Sequence, residues 1–230
     1  YGLSTYLFVN ERLSSHILDQ IFATGIQKIE IFAARQHLDY HEVNPVSDVA
    51  QWFRDHDLQL FSLHAPLYSD FDWGRSGGQL LSITYLERRQ RIESMEEIKR
   101  ALEIAERLPF RYLVLHLGTS RDEADPRRYD GAFSSLERLR LFAKQSGVTI
   151  ALENTPGHLA APEKLRQFVT ETRLTDLRFC FDVGHAHLGD GVMPSLEIMR
   201  DLVVTAHVHD NDGFKDEHVA PFSGSIEWAP

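Results

Sequence analysis

Cysteine is nearly missing from this chain. One residue, Cys180, stands in 230, which excludes a disulfide framework and a cysteine-rich zinc module. Long apolar runs are missing too. No stretch approaches the roughly 18 consecutive apolar residues of a membrane span. The opening Tyr1-Gly2-Leu3-Ser4-Thr5 has neither a basic region nor an apolar core, so it is no secretory signal. These absences point to a cytoplasmic protein with no membrane partner. Tyr1 in place of an initiator methionine fits a chain that begins inside a longer gene product. Glycine is absent from Tyr6-Leu7-Phe8-Val9-Asn10-Glu11, at the end of the first β-rich stretch, which removes the fingerprint of a dinucleotide site. Positive charge is also short. Lys and Arg number 24 against 34 Asp and Glu, for a net charge of −10, which argues against a nucleic-acid partner gripped by a broad basic surface.

What is present reads as an ordinary globular chain, 43% hydrophobic and 25% charged. Apolar, β-branched runs recur at Tyr1–Val9, Lys28–Phe32, Leu58–Leu63, Tyr112–Leu117, Val148–Leu152, Leu177–Phe181 and Val203–Val208. Between them, apolar residues fall at steps of three and four, predicting helices over Ser15–Ala23, Val46–His56, Leu86–Leu108, Tyr129–Gln145, Pro162–Glu171 and Pro194–Arg200. Continuous apolar strands alternating with helices imply a parallel sheet covered on both faces, within one domain over 1–230. Two α/β architectures fit, a (β/α)8 barrel or a doubly wound sheet. For a barrel, the last βα unit is missing, because Asn211–Pro230 is too short to supply it.

Five successive predicted strands end in a residue able to bind metal. They read Ser62-Leu63-His64, Val114-Leu115-His116, Ala151-Leu152-Glu153, Phe181-Asp182 followed by Val183-Gly184-His185, and Ala206-His207-Val208-His209. In a parallel barrel these carboxyl ends share one face, where active sites of that fold lie. Taken singly, each histidine reads as a hydrogen-bonded structural residue and Asp182 as a helix cap. Taken together, buried carboxylates and imidazoles at one place are costly unless a cation joins them. Asp216 and His218, two residues apart, extend the set. A mixture of imidazole and carboxylate selects zinc or manganese, with cobalt or iron next, over calcium. Cys180, between Phe179 and Phe181, reads as packing. His209 is read as a second ligand, a substrate contact or a donor to another ligand. Trp73 and Phe71 fit a sugar-facing cap as well as a packing role. Glu30 fits a polar group at the substrate as well as simple strand alternation. Arg88-Arg89-Gln90-Arg91 reads as a solvated helix face.

As an ordered set, His-Ala-Pro at 64–66, Leu-His-Leu-Gly at 115–118, Leu-Glu-Asn at 152–154, Phe-Asp-Val-Gly-His at 181–185 and His-Val-His-Asp at 207–210 resembles the xylose isomerase-like TIM-barrel superfamily. The resemblance runs from Leu3 to Trp228 and implies a (β/α)8 TIM barrel. It implies one divalent ion held by Glu153, Asp182, His207 and a final glutamate that this chain lacks. In the superfamily's endonuclease IV branch it implies a larger zinc set on His64, His116, Glu153, Asp182, His185, His207, Asp216 and His218. The segments 207–213 and 222–228 look more like the sugar isomerase and epimerase members. The expected function is a metal-dependent isomerase or epimerase of a small sugar or sugar phosphate. The metal would polarise a carbonyl and stabilise an enediolate, Glu153 would move the proton, and His185 would orient a hydroxyl. A zinc phosphodiesterase acting on abasic DNA is the second reading, and a metal- or sugar-binding barrel without activity is the third.

Overall fold

A computed structural model describes residues 1–120 and 122–228. Seven parallel strands form one sheet in sequential order: β1 Gly2–Ser4, β2 Lys28–Phe32, β3 Leu60–His64, β4 Phe110–His116, β5 Thr149–Glu153, β6 Arg178–Asp182 and β7 Val203–His207. Helices α1 Ser15–Ala23, α2 Val43–Asp55, α3 Arg88–Glu103, α4 Pro126–Gln145, α5 Pro162–Thr172, α6 Val183–His187 and α7 Val192–Met199 fill the crossovers. The sheet curls into an incomplete (β/α)8 barrel with β1 and β7 at its two edges.

Strand alternation divides the work of the sheet. One face of β2–β6 carries Ile31, Leu63, Leu115, Leu152 and Phe181, all buried in the main core against the helices. The residues between them point into the barrel in two layers. Val114, Ala151 and Cys180 pack together as a small apolar floor. His116, Glu153 and Asp182, each two residues further on, stand above that floor as the last residues of their strands. His64 and His207 end β3 and β7 in the same way. Short side chains below leave room for polar groups above.

The helices form where the apolar periodicity places them. α4 buries Ala132, Leu136, Leu139 and Ala143, at steps of three and four, with no residual exposure. It begins three residues before the periodicity does, because the Asp125 side chain accepts from the Arg127 amide and Pro126 occupies the first turn. α2 likewise starts at Val43, with Pro45 in its first turn.

The expected first strand over Tyr1–Val9 is shorter than its composition implies. The chain leaves the sheet after Ser4 and makes a 3₁₀ turn over Thr5–Phe8. Two hydroxyls cause this. Ser4 Oγ accepts from the Tyr6 amide at 3.3 Å. Thr5, fully buried, accepts from the Phe32 amide at 3.1 Å and meets His37 Nε2 at 2.9 Å. His37 Nδ1 faces the Glu11 carbonyl at 2.6 Å, so Nδ1 carries the proton and Nε2 accepts from Thr5. The turn puts Tyr6 over the barrel mouth instead of inside β1.

A long connection, residues 65–87, follows β3. It is organised by a Tyr68–Leu80 antiparallel bridge and by Asp70, whose carboxylate accepts from the amides of Gly74 at 2.7 Å and Gly78 at 3.0 Å. Trp73 sits in this loop with φ of 56°, a conformation that costs about 1–3 kcal/mol for a non-glycine residue. Buried Asp122 ties the connection to the loop after β4, accepting from Thr84 Oγ1 at 2.9 Å and pairing with Arg128 at 2.9 Å.

Thr5→Val keeps shape and removes the hydroxyl, leaving the Phe32 amide and His37 Nε2 buried without partners. We expect a loss of about 1–3 kcal/mol in urea unfolding. An unchanged midpoint would contradict the role given to Thr5.

Candidate metal centre and active site

The carboxyl ends of β3–β7 deliver their terminal side chains to one point, and that point is Glu153. Its carboxylate is 1% exposed and meets four imidazoles. Oε2 lies 3.3 Å from His64 Nε2 and 3.2 Å from His116 Nε2. Oε1 lies 3.3 Å from both His185 Nδ1 and His207 Nδ1. Asp182, beside it and fully buried, lies 3.1 Å from His209 Nε2, 3.5 Å from His185 Nδ1 and 3.6 Å from His207 Nδ1. Asp182 also caps α6 through the His185 amide at 2.7 Å, the cap reading of this residue.

Neighbouring groups fix how the imidazoles face. His64 Nδ1 is 2.9 Å from the Ala65 carbonyl, and His185 Nδ1 is 2.9 Å from the Asn154 carbonyl. A carbonyl only accepts, so each Nδ1 carries a proton; His64 then presents a lone pair on Nε2, whereas His185 donates from Nε2 to Asp216 Oδ2 at 3.2 Å. His64 Nε2 therefore aims its lone pair at Glu153 Oε2, a repulsive contact unless a proton or a cation lies between. His207 Nε2 is 3.0 Å from Glu30 Oε1, and Glu30 is held by the Ser62 hydroxyl at 2.8 Å. That arrangement turns His207 Nδ1 toward Glu153 and Asp182, as a carboxylate behind a ligating histidine does in metal sites. His116 Nε2 and His209 Nδ1 are buried and lack hydrogen-bond partners.

Among the described residues, three groups of donors meet at Glu153, each with potential ligand atoms within 4.8 Å of one another: His64–His116–Glu153, Glu153–Asp182–His185 and Glu153–Cys180–His207. A fourth, His185–His209–Asp216–His218, lies at the rim. The donor chemistry and the orphaned imidazole nitrogens fit a divalent cation. Cys180, expected as packing, is fully buried with the apolar floor, yet it also lies within the third group. Burial pushes its thiol up to about 12.

Burial and the neighbouring charges pull against each other at every group of this cluster. Burial pushes the Glu153 carboxyl up, but His207 and His116 outweigh it and hold it well below the usual carboxylate range. Asp182 is held down at about 2, against burial, chiefly by His185. Burial pushes His185 and His207 down, while the carboxylates around them push them well above the ordinary imidazole value. His116 goes the other way, its burial outweighing Glu153, and is the readiest neutral ligand.

A cavity of about 1030 Å³ opens over this floor and runs between the edge strands β1 and β7. Trp73, Tyr6 and Phe32 form an aromatic wall, with Tyr6 5.2 Å from Phe32 and 5.9 Å from Trp73 between ring centres. Phe32 in turn stacks on His64 at 4.3 Å. The Trp73 indole nitrogen is buried without a partner. Glu30 and His209, expected at the substrate, line the cavity but are bonded to His207 and Asp182. Phe71 is exposed. The sequence reading missed Tyr6, hidden in the supposed first strand. It also missed Asn154, whose amide exchanges two hydrogen bonds with the Asp182 backbone at 2.8 and 2.7 Å. Gly184 went unremarked as well. A Cβ there would lie 2.0 Å from the His209 ring, so only glycine admits that histidine.

The pH response follows from these charges. In metal-free protein the depressed carboxylates stabilise the fold above their ordinary range and lose that contribution as pH falls toward 2. The raised His185 and His207 stabilise below the ordinary imidazole value, and their contribution is lost as pH rises through their elevated values. A cation competes with those imidazole protons. The rise in Tm produced by zinc should therefore be larger at pH 8 than at pH 6 in thermal unfolding. A shift that is constant or shrinks with pH would contradict this placement of the ion.

The chain matches the xylose isomerase-like TIM barrel family over residues 18–230. Among its relatives, the uncharacterized protein MJ1311 of Methanocaldococcus jannaschii is 25% identical over 238 residues, covering 99% of this chain and 76% of the relative. A solved D-tagatose 3-epimerase-like protein has a TM-score of 0.80 at 24% identity, covering 98% of this chain and 82% of that one. The IolI protein, solved with a bound zinc atom, has a TM-score of 0.79 at 19% identity, covering 98% and 80%. These two structures share the fold of this chain. With the barrel, the strand-end histidines and carboxylates and a match over most of its length, the chain belongs to the xylose isomerase-like TIM barrel family.

Proposed function

We propose that this protein is a divalent-metal-dependent isomerase or epimerase of a small sugar or sugar phosphate. The observation that carries the proposal is Glu153: a buried, ionised carboxylate among four imidazoles, on the floor of a cavity large enough for a sugar. Glu153, Asp182 and His207 would hold the ion, with Glu30 behind His207, and zinc or manganese suits these donors best. When bound, the ion supplies Lewis acidity that polarises a substrate carbonyl and acidifies the neighbouring C–H bond. Glu153 then takes the proton from one carbon and returns it to the neighbouring carbon on the same face, whereas inversion at a single carbon would take a second acid on the opposite face. The wall of Tyr6, Trp73 and Phe32 offers apolar surface to the C–H face of a sugar, and the unpartnered Trp73 N–H offers a donor to a hydroxyl. The aromatic wall also keeps bulk water from the reacting carbon. The D-tagatose 3-epimerase-like structure supports the reading as a barrel of this shape named for sugar chemistry.

A second reading, a zinc phosphodiesterase acting on abasic DNA, is favoured by one observation. Donor groups flank Glu153 on both sides, enough to hold more than one ion. The net charge of −10 weighs against it.

The test is solvent-deuterium incorporation into a panel of ketoses, aldoses and their phosphates, read by NMR. Wild-type protein loaded with zinc or manganese should exchange the proton beside the carbonyl of at least one member. Glu153→Gln should lower that rate by roughly 10²–10⁴-fold. Near-normal exchange in Glu153→Gln contradicts the assignment, and cleavage of an abasic duplex with no sugar exchanged transfers it to the second reading.

A further inference from the structure

The long connection after β3 holds a residue under strain. Trp73 has a left-handed φ of 56°, and its indole nitrogen is buried without a hydrogen-bond partner. Gln79 Nε2, in the same connection, is buried and unpartnered as well. Strain of this kind collects in ligand clamps and switching segments. An unmet buried donor favours any other position that brings it water or an acceptor. We propose that residues 69–79 form a lid on the β1–β2 side of the barrel mouth, closed in this structure, which Arg75 latches, Trp73 pins, and which swings away to admit substrate. The lid governs access to the cavity whatever enters it, and so goes beyond the isomerase reading.

The tip of the connection is built to move as one body. Asp70 accepts from the amides of Gly74 at 2.7 Å and Gly78 at 3.0 Å. Gly78 lies so close to Asp70 that a Cβ would come 2.0 Å from the carboxyl carbon. Asp72 accepts from the Ser76 amide at 3.1 Å and from the Ser76 hydroxyl. These bonds all lie within 70–78, so a swing of the tip breaks none of them. They also hold Trp73 in the left-handed conformation that aims its indole out of the tip and into the mouth. At the base, the Ser69 amide donates to the Gln79 carbonyl at 3.1 Å and the Leu81 amide to the Leu67 carbonyl at 2.8 Å. The two bonds frame the Tyr68–Leu80 bridge and make a narrow hinge.

Little holds the tip against the barrel. Arg75 Nη1 donates to Asn10 Oδ1, in the loop after β1, at 3.3 Å, and Nη2 donates to Gln36 Oε1, in the loop after β2. Gln36 donates in turn to the Val9 carbonyl at 2.8 Å. Arg35 lies over the Phe71 ring at 5.9 Å. The Arg75 bonds are exposed and so is Phe71, and exposed contacts of these kinds are weak. The apolar anchor is Trp73, 5.9 Å from Tyr6 and 5.7 Å from Phe32 between ring centres. With Tyr6 and Leu67 it covers a small buried cluster of Val9, Phe32 and Ala34. Lifting the indole uncovers that cluster and widens the entrance beside His64, on which Phe32 stacks. Hydration of the indole N–H offsets part of the packing that is lost.

A thiol beneath the lid reports its opening. Ala34 is 4% exposed, and Cys180, the one native cysteine, is fully buried. The full chain carrying Ala34→Cys is treated with an aromatic disulfide reagent under native conditions, and its rate is read against the parent chain without that substitution. Reaction should be limited by local opening. Adding Arg75→Ala should speed it about two- to fivefold, and adding Trp73→Ala roughly tenfold or more. Adding Arg54→Ala, an exposed arginine of α2, should leave the rate unchanged, and the urea midpoint of the Arg75→Ala chain should stay where it was. A rate unmoved by Arg75→Ala or by Trp73→Ala overturns the proposal. So does a rate raised equally by Arg54→Ala, or a thiol that reacts only as the chain unfolds in urea. None of these readouts involves substrate, so failure of the sugar assignment leaves them intact.

Discussion

Glu153 carries a negative charge in a place that is 1% exposed, and the interior tolerates it only while positive charge surrounds it. Everything at the mouth of the barrel follows from this requirement. Four imidazoles approach within 3.3 Å. Two of them, His185 and His207, are pushed well above their ordinary pKa by the acids beside them. Asp182 repeats the demand one strand further on, and Glu30 and Asp216 repeat it behind His207 and His185. Carboxylate and imidazole alternate around the ring, so that each acid is a neighbour of bases and each base of acids. Protons can satisfy such a ring at low pH. On the proposed function, a divalent cation would satisfy it at neutral pH and leave the imidazoles neutral.

The barrel exists to make this ring possible. Parallel strands deliver the last residue of β3, β4, β5, β6 and β7 to one level, and no single loop could place five polar groups so closely. The floor below them is built from small side chains, Val114, Ala151 and Cys180, which leaves height for the ligands without opening a void. The Asn154 side-chain amide clamps β5 to the end of β6, so the Glu153–Asp182 spacing is set by its two bonds to the Asp182 backbone rather than by the mutual repulsion of the two carboxylates.

Most of this was legible in the sequence because period and position carry it. The strand-end pattern of His64, His116, Glu153, Asp182 and His207 needed only the rule that parallel strands present their carboxyl ends together. The first strand misled because Tyr6, Leu7, Phe8 and Val9 are apolar enough for a strand, while the decision lay with the Ser4 and Thr5 hydroxyls and a histidine 32 residues away. Propensity has no access to such a contact. The same limit hid Tyr6, which becomes a wall of the cavity only after the turn lifts it there. Cys180 read as packing from its aromatic neighbours, and it does sit in the apolar floor. Its place within reach of Glu153 and His207 depends on strand register and barrel curvature. Nor could spacing assign partners among adjacent histidines. That His207 leans on Glu30 while His209 leans on Asp182 is a matter of register and of the room left by Gly184.

The central claim is that Glu153 and the imidazoles around it bind a divalent cation in competition with protons. Titration calorimetry of metal-free protein with zinc, in buffers of different ionisation enthalpy at pH 7, counts the protons released as the ion binds. The account predicts net release from the wild type and a smaller release from Glu153→Gln, because removing that charge lowers the proton affinity of the imidazoles around it. Zinc binding without proton release, or with the same release in Glu153→Gln, would contradict it.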